Sequence, residues 1–147
     1  MKYENYHIHA STSLLKFEFH SEGPRGKIRK QVLFKMFPEN PGVFNLGFGD
    51  VEPDGSVNDT VVTDNKDGQK VLATVALTVY KFFEQYPSSF VYVTGSTEAR
   101  TRLYRIGITN NYDEIGIDFE LFGYIESRWE PFKKGRSYEA FLVRRKK

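Results

Sequence analysis

Leu15, Phe17 and Phe19 share one parity of the chain while Lys16, Glu18 and His20 share the other. That period of two predicts a half-buried strand. SEGPRG supplies the Gly and Pro of a turn, and KIRKQVLFKMF resumes the alternation, with Ile28, Val32, Phe34 and Met36 on one side and Lys27, Arg29, Gln31 and Lys35 on the other. PENPG ends that run, and VFNLGFGD predicts a third strand. Glu52-Pro53-Asp54-Gly55-Ser56 has turn chemistry, Pro presetting φ and Gly accepting a positive one. A fourth strand is therefore expected near Asn58 to Thr63.

The period then changes. In KVLATVALTVYKFFEQYP, Val71, Val75, Val79, Phe82 and Tyr86 make one stripe and Leu72, Ala76 and Phe83 the adjoining one, ending before Pro87. This is a helix with a broad apolar face to lay on the sheet. SSFVYVTG returns to a strand, TEARTRLYRIGI predicts a second helix with Ala99, Leu103 and Ile106 inward, and IGIDFELFGYIE and SYEAFLVRR predict late strands. The order ββββαβαββ argues for an α+β fold: an antiparallel sheet of about four N-terminal strands under a long helix, then strand-helix-strand-strand. With no internal repeat, low-complexity tract or linker, residues 1–147 are expected to form a single domain.

Composition narrows the class. A chain of 147 residues, 39% hydrophobic and 27% charged, suits one core, and an aromatic content of 16% lets large rings dominate it. The absence of Cys removes disulfides, thiolate metal sites and cysteine nucleophiles. No apolar stretch approaches the roughly 20 residues of a membrane span, and MKYENYHIHASTS lacks the basic-then-apolar order of a secretory signal. A cytoplasmic protein without a membrane partner is expected.

The net charge of +2 conceals an uneven distribution. Asp50, Glu52, Asp54, Asp59, Asp64 and Asp67 face only Lys66 in their segment, whereas the C-terminal stretch carries Arg128, Lys133, Lys134, Arg136, Arg144, Arg145, Lys146 and Lys147. A second basic cluster comprises Arg25, Lys27, Arg29, Lys30 and Lys35. Such polarity suits a polyanion, an oppositely charged partner, or mutual attraction within a solvated surface.

Conventional catalytic chemistry finds little support. DVEPDG copies the opening of a calcium loop, but the position that should hold a bidentate Glu is Val61, so a hairpin turn is the better reading. His7 and His9 supply two imidazoles, too few for a metal site without His20; no metal and no cofactor is expected. Asp118-Phe119-Glu120 offers an acidic pair on one strand face, as in nucleotidyltransferases, yet it lies far from Ser96 in sequence. GSTEA lacks the glycine of a nucleophile elbow, and no Walker loop is present.

The junction VYVTGSTEARTRLYR has a physical claim of its own. A helix N-terminus presents unpaired N–H groups and partial positive charge, and Gly95 lets a ligand approach the backbone. Gly95, Ser96, Thr97, Arg100 and Arg105 are therefore the candidate anion-binding residues. Arg100 in the first turn opposes the helix dipole unless a negative group stands nearby. Helical geometry spreads Arg100, Arg102 and Arg105 too widely for all three to grip one phosphate. The competing structural reading makes Ser96 or Thr97 an N-cap and pairs Glu98 with Arg102.

Taken together, SEGPRGKIRKQVLF, GVFNLGFGD, KVLATVALTVYKFFEQYP, TGSTEARTRLYRIGI and YEAFLVRRK resemble a family of short bacterial proteins of unknown function, over nearly the full chain. That resemblance implies no activity or site residue. Four strands before a long helix, with Lys27, Arg29 and Lys35 along one strand, are also similar to the single-stranded nucleic-acid-binding repeats of the Pur-alpha and Whirly type, though without an evident platform for stacking bases. The leading expectation is a non-enzymatic binding protein for nucleic acid or an acidic protein. The alternative is an RNA- or nucleotide-processing enzyme, such as a toxin-like ribonuclease, with Arg100 or Arg105 stabilising charge and Tyr104 or Glu98 moving a proton.

Overall fold

A computed structural model describes residues 3–61 and 64–147. The elements are β1 (His9–Ala10), β2 (Lys16–Gly23), β3 (Gly26–Phe37), β4 (Asn40–Val51), β5 (Val57–Asn58), α1 (Gly68–Gln85), β6 (Phe90–Val93), α2 (Glu98–Asp118), β7 (Phe119–Ile125), β8 (Arg128–Pro131) and β9 (Ala140–Arg145). The fold is α+β: one large mixed sheet in the order β1-β2-β3-β4-β6-β9-β7-β8, with β5 added to β4. Among the described residues only β4 and β6 run parallel; the other pairs are antiparallel.

The turn chemistry sets the register. Pro24 and Arg25 form a tight connection with Gly26 at φ +86°, a value glycine adopts without strain, so Gly23 faces Gly26 and Phe17 faces Val32. That register directs Phe17 and Phe19 of β2, Val32 and Phe34 of β3, and Phe44, Leu46 and Phe48 of β4 to one face, where all are buried. Both helices cover that face. Phe82 of α1 stacks 4.5 Å from Phe34 and meets Phe44 edge-on at 5.0 Å, and Phe83 lies 5.2 Å from Phe119. Aromatic burial of this kind carries both area and geometric preference.

Several sequence expectations shift. β5 ends at Asn58, and Val62 and Thr63, where the expected fourth strand would finish, lie outside the described residues. The segment from Ile115 to Asp118 belongs to α2 rather than to a strand, and β1 and β8 carry no strong alternation of their own. The inward line of α2 is Arg100, Tyr104, Gly107 and Asn111, while Ala99 is exposed and Leu103 and Ile106 are half-buried. A periodicity argument credits apolar residues and so rotates this helix away from its polar, sheet-facing stripe. Among the described residues no helix is long and apolar enough to cross a membrane.

Candidate functional site

The junction between β6 and α2 is built by short polar side chains. Thr94 Oγ1 donates to the Glu139 carbonyl at 2.8 Å, tying the end of β6 to β9, and Ser96 Oγ donates to the Asp59 carbonyl at 2.6 Å. Thr97 is extended at φ −135°, ψ 162° and its hydroxyl accepts from the Arg100 N–H at 3.2 Å, the geometry of an N-cap. Gly95 donates its N–H to Thr101 Oγ1 at 3.0 Å. A Cβ at Gly95 would fall 2.3 Å from the Thr101 nitrogen. Glycine is thus required so that the first turn of α2 can close on the strand end, a packing reason distinct from close approach of a ligand.

Arg100 turns inward. It is 4% exposed, its guanidinium donates to the carbonyls of Val61 (2.7 Å) and Phe48, and among the described residues no carboxylate comes within 4 Å of it. The corner residue expected to reach an anion is occupied by the protein's own backbone. Tyr104, one turn on, is buried beside it, and that burial pushes its hydroxyl pKa up, with Arg100 acting in the opposite direction. Glu98 and Arg105 lie on the outer side, so of the residues named for the enzyme alternative Arg100 and Tyr104 are buried while Arg105 and Glu98 line one open cleft.

What faces outward is a polar cleft of about 550 Å³ lined by Thr94 to Glu98, Thr101, Arg102, Arg105 and Ser137 to Glu139. Arg102 and Arg105 stand three residues apart on one face of α2. Among the described residues no carboxylate lies within 4 Å of either guanidinium, and the anticipated pairing of Glu98 with Arg102 does not form. The N–H groups of Glu98 and Ala99, in the first turn of α2, have no backbone acceptor among the described residues. Glu98 and Glu139 share the lining, so the cleft is mixed in charge.

The basic strand lies on the other, helix-free face. Arg29 forks onto Glu18, Nη2 donating to Oε1 at 2.9 Å and Nε to Oε2 at 3.2 Å, and Lys27 stands 3.9 Å from Glu22. Among the described residues Lys35 has no carboxylate within 4 Å. Lys30, grouped with these residues by sequence, points instead into the protein, where its Nζ meets Asp50 Oδ1 at 2.5 Å. That pair also explains the first acid of DVEPDG. The rest of that motif is a turn, with Gly55 at φ +88° and Asp54 accepting from the Ser56 N–H at 2.9 Å and its hydroxyl at 2.6 Å. These bonds hold the Asp54 carboxyl below its ordinary pKa.

The remaining candidates disperse. The His7 and His9 rings meet edge-on at 4.9 Å, while His20 sits opposite Arg29. Asp118 closes α2 and Glu120, on β7, accepts from Arg144 at 2.9 Å, so the acidic pair does not share a strand face. Among the described residues no group of three or more His, Asp or Glu is placed to hold a metal.

An aromatic row on the helix-free face has no counterpart among the sequence expectations. Phe37 lies 5.8 Å from Tyr92, Tyr92 6.2 Å from Trp129, and Trp129 5.1 Å from Tyr124. Its sequence signal is that FVYV and FELFGYI put apolar residues on both parities, where a strand covered on one side only needs one. Comparison with curated proteins and with solved structures returns no match. The sequence matches a family of unknown function (DUF6934) over residues 2–146, and the chain belongs to that family.

Proposed function

We propose that this chain is a non-enzymatic binding protein for an anionic partner, which it grips in the cleft outside the first turns of α2. The observation that carries the reading is the pair Arg102 and Arg105, side by side in an open cleft with no carboxylate within 4 Å among the described residues. An unpaired guanidinium offers a planar fork suited to phosphate or carboxylate oxygens. The N–H groups at the start of α2 add partial positive charge in the same direction. In this reading Gly95, Ser96, Thr97 and Arg100 shape the corner, and Arg105 with Arg102 contacts the partner. Lys35 extends the attraction from the neighbouring face. The setting in which we read it is a bacterial cytoplasm, where nucleic acids and acidic proteins are both at hand.

Fluorescence anisotropy with a labelled oligothymidylate and a labelled polyglutamate, from low to moderate salt, tests this. At least one should bind with an affinity that falls as salt rises. Arg102→Ala with Arg105→Ala should weaken binding and flatten the salt slope by about one unit for each phosphate no longer neutralised. Absence of binding at low salt, or a double variant that binds like the parent, overturns the proposal.

A further inference from the structure

The helix-free face of the sheet bears a row of rings. Reading across β3, β6, β8 and β7, Phe37, Tyr92, Trp129 and Tyr124 follow one another at 5.8, 6.2 and 5.1 Å. Trp129 is 41% exposed. Phe90 and Phe122 share the face, with the Arg144 guanidinium 5.7 Å from each. Phe37, Phe90, Tyr92, Phe122 and Tyr124 are half-buried and Trp129 is exposed, and a row of rings on a sheet face with no covering layer among the described residues suits an interaction surface.

The occupant follows from the chemistry around the rings. Cations stand beside the row: Lys35 on β3, with no carboxylate within 4 Å among the described residues, and Arg144 on β9, set between Phe90 and Phe122 and paired with Glu120 at 2.9 Å. A second copy of the chain packed on this face would leave Lys35 without a counter-charge, because Glu18, Glu22 and Glu120 of that face are already engaged by Arg29, Lys27 and Arg144. An acidic protein would satisfy the cations and leave the rings without a partner. Single-stranded nucleic acid satisfies both, because every base has a face to stack on a ring and every link carries a phosphate.

The row also leads to the cleft. Tyr124 pairs with Ala140, whose neighbour Glu139 accepts from Thr94 and lines the same cleft as Arg102 and Arg105. Resting on the reading of that cleft as an anion site, we infer that the partner is single-stranded nucleic acid, its bases stacked along Phe37, Tyr92, Trp129 and Tyr124 and its backbone continuing to Arg102 and Arg105.

Trp129 is the only tryptophan of the chain, so its fluorescence reports on the row without any substitution. Titration with oligothymidylate should quench it to saturation, and polyglutamate should not. Trp129→Ala and Tyr92→Ala should each weaken oligonucleotide binding about ten-fold or more. Trp129→Tyr, which keeps a ring, should retain most of the affinity. Arg102→Ala with Arg105→Ala should lower affinity and salt slope while leaving the quench at saturation intact. Oligonucleotide binding without quenching, and with ring variants equal to the parent, overturns stacking and leaves the cleft reading standing. Quenching by polyglutamate to the same extent, or a self-association in sedimentation that shields Trp129 from acrylamide, overturns nucleic acid as the occupant.

Discussion

The guanidinium of Arg100 donates to the backbone carbonyl of Phe48 and lies 5.0 Å from the centre of the same residue's ring. A second nitrogen serves the carbonyl of Val61 at 2.7 Å, so one side chain from α2 closes hydrogen bonds on β4 and on the segment after β5. Buried carbonyls left without donors cost about 1–3 kcal/mol each. Arg100→Met should therefore lower unfolding free energy by about 2–4 kcal/mol in urea titrations. Arg100→Lys should recover little of this, since an ammonium cannot span two carbonyls with a planar fork. If Arg100→Met unfolds at the parent's midpoint, the residue does not tie α2 to the sheet.

This relationship also marks where sequence reading fails. The strands β2, β3 and β4 and the helix α1 are legible because most of their positions keep one polarity per face, and Phe17, Phe34 and Phe82 are buried where alternation and the helical stripe predict. Arg100 and Lys30 defeat that reading for a common reason. A charged side chain is assigned to solvent unless its partner is known, and the partners, the Phe48 and Val61 carbonyls and Asp50, are distant in sequence. The junction at Gly95 is legible as a strand end and helix start, β6 ending at Val93 and α2 beginning at Glu98. Its chemistry is not, because only the fold tells which side of α2 faces the sheet. The ring row is hidden differently: its members come from four strands, and no local pattern announces that β3, β6, β7 and β8 share a face.

Tyr138 and Glu130 should give the protein a pH-dependent element at both extremes. The Tyr138 hydroxyl donates to Glu130 Oε2 at 2.6 Å, and Gly123 makes room for the ring, since a Cβ there would fall 2.3 Å from it. This bond, helped by Arg136, lowers the Glu130 pKa below its ordinary 4.5, so the stabilisation is present above that value and is lost as pH falls through the lowered one. Burial, then the same bond, raises the Tyr138 pKa above its ordinary 10.0, so its contribution is present below that value and fades as pH rises through the raised one. Thermal unfolding of Tyr138→Phe across pH should show a shallower loss of stability in both ranges. A profile parallel to the parent's at both ends would mean the pair is not coupled to folding.

Asn111 occupies a position where an amide is a poor fit. Its Nδ2 donates to the Gly107 carbonyl at 2.8 Å, one helical turn back, which fixes the amide's orientation and leaves Oδ1 buried without a partner among the described residues. Around it, between α1, α2 and the sheet, lies an apolar cavity of about 80 Å³ with walls that include Leu72, Val75, Ile108, Ile115 and Leu121. A buried acceptor without a donor costs about 1–3 kcal/mol, and void space adjoining it forfeits dispersion attraction. Asn111→Leu removes the acceptor and puts methyl groups toward the void, at the expense of one local bond whose carbonyl stays within the helix ladder. Stability should rise by about 1 kcal/mol or more, read as a higher urea midpoint with an unchanged slope. Asn111→Asp should do the reverse, because it places a charge in the same apolar surroundings. A less stable Asn111→Leu would show that the amide oxygen has a partner in solution, such as a bound water, that the leucine displaces.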